Sequence, residues 1–321
     1  MDGAVPRPEG LKRLAKGWLE EESRYFPSLA RELLFLRQAR RDARLVSKVG
    51  LAANLPTLDT SQSLIGNKPK STIFILAGGA SINGLSSMQW EEISKAASIG
   101  INAWPIHRFI PDVLSIETTN TPGPPSETAL FLSERIDSHV DSGGQIPHFF
   151  LLRPAWPPNN NRVYPLLTKN RNTTYVYGRA NIITRRKNNL EADLRRIIQR
   201  AVAGALPSKV LPDNGSSVVR TTFWALIQGY RRIVWLGVDQ NSGPYFWTEE
   251  PIAPEYRKAA NLFPRKSGEP HSTSNSENRP FSNEVFLENL SRAVSQVTKS
   301  RIFVGSPNSQ LSESIPRFSW E

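Results

Sequence analysis

Four short polar clusters combine residue types that bind charge or move protons with spacings that let them act together. Gly78-Gly79-Ala80-Ser81 closes the apolar run STIFIL. A glycine turn between a strand and a helix offers backbone N–H groups to an anion such as phosphate, and the helix dipole adds to the attraction. The turn lacks the G-K-[ST] ending of a P-loop and the complete dinucleotide fingerprint, so on its own it reads equally as a tight structural turn. Ile101-Asn102-Ala103 and Glu117-Thr118-Thr119-Asn120 end two further apolar runs. Ser216-Ser217 opens an apolar helix, where hydroxyls and amides could hold an anion or sugar or could simply cap the helix. Of four histidines, His107 and His148 adjoin apolar runs and His139 ends a helix, all fitting packing roles. His271 lies in a polar stretch where packing is not expected, which leaves proton transfer, for which an ordinary pKa of about 6.5 is suited, or plain solvent exposure. Cysteine is absent, which excludes disulfides, thiolate metal sites and cysteine nucleophiles. With no HExxH, paired His or clustered carboxylates, no metal and no cofactor are expected.

The elements that must position these residues follow from the apolar pattern. From Ser71 onward strand and helix alternate: a strand over STIFIL, a helix over Leu85–Ala97, strands over Ser98–Ala103 and Val113–Glu117, a helix over Glu127–Val140 and a strand over Ile146–Leu152. A short strand at Thr174–Tyr177 and a helix over Asn189–Ala205 come next. Asp213-Asn214-Gly215 supplies cap residues to a helix over Val218–Gln228, which stops at Gly229 before a strand over Arg232–Val238. A helix over Asn283–Thr298, a strand over Arg301–Val304 and a turn at SPNS finish the pattern. This predicts an α/β fold, a Rossmann-like parallel sheet flanked by helices, with a mobile lid and an N-terminal helical extension. The expected division is 1–70 as helical extension and linker and 71–321 as the Rossmann-like domain, with a basic insertion at 151–209 and the lid at 240–280.

Composition narrows the partners. At 39% hydrophobic and 21% charged, the 321-residue chain is neither fibrous nor wholly disordered. The net charge of +11 is concentrated: residues 151–209 hold twelve basic side chains against two acids, Glu191 and Asp193, and the rest is almost neutral. That region should face something anionic. The aromatics near it form no stacking platform, so nucleic acid is not expected. No signal sequence and no apolar span is visible, so a cytoplasmic protein is expected; residues 10–50 read as a helical hairpin packed on the main domain or, alternatively, as a basic amphipathic surface in peripheral contact with the inner face of the membrane.

The order AGGAS, INAW, ETTN, GSSV with an apolar helix ending in GYRRIVWLGVDQ, a polar lid with a His, and FVGSPNSQL resembles the bacterial sialyltransferases of glycosyltransferase family forty-two and the related MptE-like superfamily. The resemblance covers about residues 71–316. It implies a metal-independent glycosyltransferase, bacterial and of lipopolysaccharide or capsule biosynthesis, that moves sialic acid or a related acidic sugar from a CMP-sugar donor to a surface glycan or glycolipid. It implies His271 as general base and Tyr245 as the partner of the departing phosphate. Gly78, Gly79 and Ser81 would lie near the phosphates, and Asn102, Asn120, Ser216 and Ser217 would contact the donor. Asp239 would support the site, and Asn308-Ser309 would lie near the cytidine. Arg185, Arg186 and Lys187 are the candidate acceptor or anion contacts, and a homo-oligomer is compatible with the pattern. Departures are present: Gly78 stands where the family has Asn, Asn214 where it has Arg, and the lid is short.

Two other function classes compete. A pyrophosphokinase like the MptE relatives would need ATP and Mg²⁺, with Glu117 and Asp239 the best-placed carboxylates. A non-catalytic basic binding protein would need only the cationic stretch. If that stretch faces the acceptor, the triple change of Arg185, Arg186 and Lys187 to Gln raises the acceptor KM and leaves CMP affinity within about twofold. Weakened CMP binding in a titration would move the basic patch to the donor.

Overall fold

A computed structural model of the chain describes residues 28–66, 68–117, 127–141, 144–152, 170–184, 186–240, 243–264, 280–306 and 309–320. The strands are β1 (Thr72–Leu76), β2 (Ala97–Ile101), β3 (Val113–Glu117), β4 (His148–Leu152), β5 (Thr174–Asn181), β6 (Val210–Asp213), β7 (Arg232–Leu236) and β8 (Arg301–Val304). The helices are α1 (Ser28–Ala53), α2 (Ser87–Lys95), α3 (Glu127–Asp141), α4 (Lys187–Val202), α5 (Ser217–Ile227), α6 (Arg257–Leu262) and α7 (Asn283–Val297).

Continuous apolar runs, unlike alternating ones, form strands buried on both faces. All five residues of β1 are buried, with Ile73 and Ile75 in one apolar layer and Phe74 and Leu76 in the other. The sheet order is β6-β5-β4-β3-β2-β1-β7-β8, and every neighbouring pair is parallel. Parts of α1 and the apolar stripes of α4, α5 and α7 cover one face. Residues of α2, α3 and α6 cover the other. This is the expected Rossmann-like architecture. The chain runs outward from β1 to β6 and then returns to the far side of β1, so the strand order reverses between β1 and β7. Loops leaving the carboxyl ends of strands separate at such a point and leave a crevice.

Local signals explain most boundaries. Helix α2 starts with a reciprocal cap: Ser86 Oγ accepts from Gln89 N at 3.3 Å, and Gln89 Oε1 accepts from Ser86 N at 2.8 Å. Strand β5 is eight residues long because two different neighbours pair with it. Its first half pairs with β4 and its second half with β6. Thr57 bridges to Val176, while α1 side chains serve the later amides, Asp42 accepting from Arg179 N and Gln38 from Asn181 N.

Two stretches depart from the apolar pattern. VLPD, to which the apolar pattern assigns no element beyond the cap residue Asp213, is the edge strand β6, where Pro212 is tolerated because no further strand needs its missing N–H. Residues 243–264, within the stretch read as a mobile loop or lid, contain a short helix and packed aromatics. Phe246 and Trp247 are buried, and Phe246 N donates to Gly78 O at 2.9 Å. Isolated aromatics carry no period, so only tertiary packing reveals them.

His107 belongs to this packing. Its ring lies 4.6 Å from Trp90, 4.9 Å from Trp104 and 5.3 Å from Phe246, and its Nδ1 accepts from Phe109 N at 3.0 Å. Burial, with Arg108 and Arg135 nearby, pushes its pKa down to about 3. The folded protein therefore keeps His107 neutral while the unfolded chain takes up a proton near its ordinary pKa, so stability present above about pH 6.5 is lost as pH falls toward 3. The limit is about 1.4 kcal/mol per pH unit. Burial also lowers the pKa of His148, which adds equally to wild type and variant. Urea unfolding at pH 7 and pH 5 should show a shallower acid loss for His107→Asn, which retains an acceptor for Phe109 N. Equal slopes would remove His107 as a source.

Candidate functional site

A cleft of about 460 Å³ opens where the strand order reverses, lined by the loops that leave β1, β2, β3, β6 and β7 and by Tyr245, Trp247 and Asn283. Its floor is the junction of the β1 and β7 ends, where Ala77 N donates to Leu236 O at 2.8 Å and Gly79 N to Gly237 O at 2.9 Å. Gly237 takes φ +67°, and a Cβ there would sit 2.3 Å from Ala77 O. At Gly79 a Cβ would meet Asp239 Oδ2 at 2.3 Å and Gly237 O at 2.6 Å. Only glycine permits this approach. Asp239 then fastens the turn, its Oδ2 accepting from Ser81 N at 3.0 Å and its Oδ1 from the Ser81 hydroxyl. Above the turn, Tyr245 and Trp247 stack at 4.4 Å, and both reach Gly78.

The opposite wall is polar and built on α5. Asn102, at φ +53°, occupies the left-handed backbone region that Asn tolerates. Its Nδ2 donates to Ser217 Oγ at 3.1 Å. Ser217 Oγ in turn donates to Glu117 Oε1 and accepts from Arg220 Nη2 at 3.0 Å. Arg220, fully buried, gives Nη2 to Glu117 Oε1, Nη1 to Asp213 Oδ1 at 2.8 Å and Nε to Tyr177 Oη at 3.2 Å. Asp213 Oδ1 also accepts from Gly215 N at 2.8 Å and Ser216 N at 3.1 Å, which orders the turn into α5. Burial opposes the Arg220 charge, but Tyr177, Asp213 and Glu117 together outweigh it and raise its pKa, so the guanidinium stays charged. Burial raises the pKa of Tyr177, which stays a neutral phenol.

Gly78, Gly79, Asn102, Ser216, Ser217, Asp239 and Tyr245 therefore come together around one cleft. Ser81 and Ser309 stand behind it. The Ser81 hydroxyl is bonded to Asp239, and Ser309 Oγ donates to Val238 O at 2.8 Å. Arg186 precedes α4 and Lys187 begins it, exposed and outside the cleft lining. Asn120, Arg185, His271 and Asn308 lie outside the described residues. The pattern missed Arg220, Tyr177 and Trp247. Arg220 did leave a signal, because a lone Arg inside SVVRTTFWALI can be buried only against acids.

The Gly78-Gly79 turn and the start of α5 both line the cleft. Gly79 N and Ser81 N are spent on Gly237 O and Asp239, and Gly215 N and Ser216 N on Asp213, so an anion would meet the amides of Ser217 and Val218, which as leading N–H groups of a helix have no intrahelical partner. Among the described residues no three His, Asp or Glu side chains converge as metal ligands would. Glu117 and Asp239, the carboxylates a magnesium nucleotide would need, are engaged by Arg220 and Ser217 and by Ser81.

Neither a protein-family profile nor a curated protein matches the chain. Two solved structures are similar to it. The monofunctional alpha-2,3-sialyltransferase Cst-I from Campylobacter jejuni is 14% identical, with 80% of this chain and 82% of that one covered and a TM-score of 0.42. The sialyltransferase CstII from Campylobacter jejuni, solved with the substrate analogue CMP-3FNeuAc, is 11% identical, with 77% and 84% covered and a TM-score of 0.39. The fold assignment stands on this chain's own sheet order.

Removing one member of a buried ion pair strands its partners. Arg220→Met, of similar length, leaves Asp213 without its buried cation and Glu117 without its inner one. It should lower stability by about 3–5 kcal/mol in urea unfolding at pH 7. A loss below about 1 kcal/mol would show that the cluster contributes little to folding.

Proposed function

We propose that the chain is a glycosyltransferase that moves a sugar from a nucleotide-activated donor, with CMP as the carrier implied by the sequence pattern, to a glycan or glycolipid acceptor. The observation that carries the reading is the cleft at the β1/β7 reversal, with a glycine turn and a helix N-terminus facing one space beneath stacked Tyr245 and Trp247. Ligands of open parallel sheets occupy this place, and a helix N-terminus suits phosphate.

The chemistry fits the residues. Transfer breaks the anomeric C–O bond, and its electron pair leaves with the phosphate. The acceptor hydroxyl then attacks the oxocarbenium-like centre and gives up its proton. The leading amides of α5, with the Tyr245 hydroxyl, would support the departing charge, and His271 would take the acceptor proton.

A basic face supports peripheral contact with an anionic membrane surface. Arg37, Arg40, Arg41, Arg44 and Lys48 are exposed on one stripe of α1, flanked by the exposed Leu33 and Leu51. Such a stripe is attracted to anionic lipid by about 1 kcal/mol per cation close to the surface. No helix of the described residues is long and apolar enough to cross a membrane.

Thermal shift against CMP, CMP-sugars, UDP-sugars and ATP tests the reading, since a ligand at about 100 times its Kd stabilises by about 2.7 kcal/mol. A shift with CMP and a nucleotide sugar, unaffected by EDTA, is expected. His271→Ala should retain that shift and lose about 10²–10⁴-fold in transfer rate. A shift with magnesium ATP alone would favour the pyrophosphokinase, and equal transfer by His271→Ala would take that residue out of the mechanism.

A further inference from the structure

Among the described residues that line the cleft there is no Lys, Arg or His, so a ligand there is held by neutral donors. Most side chains that could donate are turned to the protein itself. Asn102 donates to Ser217 and Ser217 to Glu117, while the indoles of Trp104 and Trp247 donate to Phe109 O at 2.8 Å and Phe263 O at 3.2 Å. Gln240 differs. It follows Asp239 in the loop after β7, lines the cleft and is half-buried, and no described residue accepts a hydrogen bond from its Nε2. Its backbone takes φ +53°, in the left-handed region, although Gln lacks the short side chain that eases Asn or Asp into it. Such conformations persist where the surroundings over-determine them, and they gather at ligand sites.

A run of carboxamides that points one way holds Gln240. Asn214 Nδ2 donates to Asn283 Oδ1 at 3.3 Å, and Asn283 Nδ2 donates to Gln240 Oε1 at 3.0 Å. Asn283 is the first residue of α7, a helix capped by Ser282, whose Oγ accepts from Val285 N at 3.3 Å. At 2% exposure it has a fixed place between the turn into α5 and the loop after β7. With Oε1 taken by Asn283, the Gln240 carboxamide keeps its NH2 for the cleft. An NH2 also suits a lining whose charged groups, Glu117 and Asp239, are both acidic, because amide dipoles orient in the local field.

We propose that Gln240 is a ligand-contacting residue: its Nε2 donates to an acceptor oxygen of the bound nucleotide, and Asn283 is the positioning residue that keeps the carboxamide in that direction. This rests on the nucleotide reading above. The oxygen belongs to the phosphate or to the nucleoside, and the test separates these sources.

Titration calorimetry with CMP and with cytidine tests the proposal on wild type, Gln240→Leu, Gln240→Glu, Asn283→Asp and the double variant Asn283→Asp with Gln240→Leu. Gln240→Leu removes the donor and should weaken CMP about tenfold. Gln240→Glu keeps an acceptor for Asn283 but has no NH2, and should lose at least as much. A loss confined to CMP assigns the oxygen to the phosphate, and an equal loss with cytidine assigns it to the nucleoside. Asn283→Asp offers only acceptors, so the Gln240 NH2 turns to it and Oε1 turns to the cleft. A carboxylate in the first turn of α7 is favoured by the helix dipole, which keeps this variant folded. It should lose as much as Gln240→Leu, and the double variant should lose less than about twofold more, as expected of two residues acting through one contact. CMP affinity within about threefold of wild type in both Gln240 variants overturns the proposal. Additive losses in the double variant overturn the positioning role of Asn283. If Gln240→Leu does not fold, Gln240→Glu decides by the same threshold. A wild type that binds neither compound overturns the nucleotide reading together with the proposal, whereas tight CMP binding indifferent to residue 240 overturns the proposal only.

Discussion

One buried cation organises the cleft end of this molecule. Arg220 joins residues from four separate elements: Glu117 at the end of β3, Tyr177 on β5, Asp213 at the end of β6 and Ser217 on its own helix, α5. A guanidinium can do this because it is planar, always charged and carries five donors in a fixed fork. Its desolvation is offset only while all its partners remain in place, so the strand ends and the helix N-terminus are held to one arrangement. The cleft wall inherits that rigidity. Ser217 and Glu117 could not keep their present directions without the charge behind them.

The other wall is held by close backbone approach. Gly79 and Gly237 let the ends of β1 and β7 meet at distances no side chain would permit, and Asp239 locks the turn through Ser81. Tyr245 and Trp247 then close over the glycines, with Phe246 anchored beneath them in the aromatic layer that includes Trp104 and His107. Packing and chemistry are continuous here. The aromatic cluster that buries His107 also positions the stacked pair that lines the cleft.

Much of this was legible from residue order. The uninterrupted apolar run of β1 required covering on both faces, and the alternation of strands with capped helices required a parallel sheet. Small polar residues at the strand ends marked the edge of the sheet where Gly78, Gly79, Asn102, Ser217 and Asp239 line one cleft. β6 was illegible because four residues with a central proline look like a loop until β5 is there to pair with them. The aromatics of 243–264 were illegible because isolated Tyr, Phe and Trp among polar residues have no period. Serines were overvalued, since sequence does not distinguish a hydroxyl facing a cleft from one turned inward, as in Ser81 and Ser309.

The sequence by itself determined the architecture and the edge of the sheet where the polar strand ends gather, because hydrophobic periodicity and turn chemistry are local and sum along the chain. Only the tertiary structure decided which polar groups are available to a ligand. Glu117 and Ser217 lie 100 residues apart, and Arg220 reaches 103 residues to the same carboxylate. Whether a serine donates to a ligand or to a neighbouring glutamate depends on contacts across the sheet. Those contacts exist only after β3, β6 and α5 have been brought together around one buried charge.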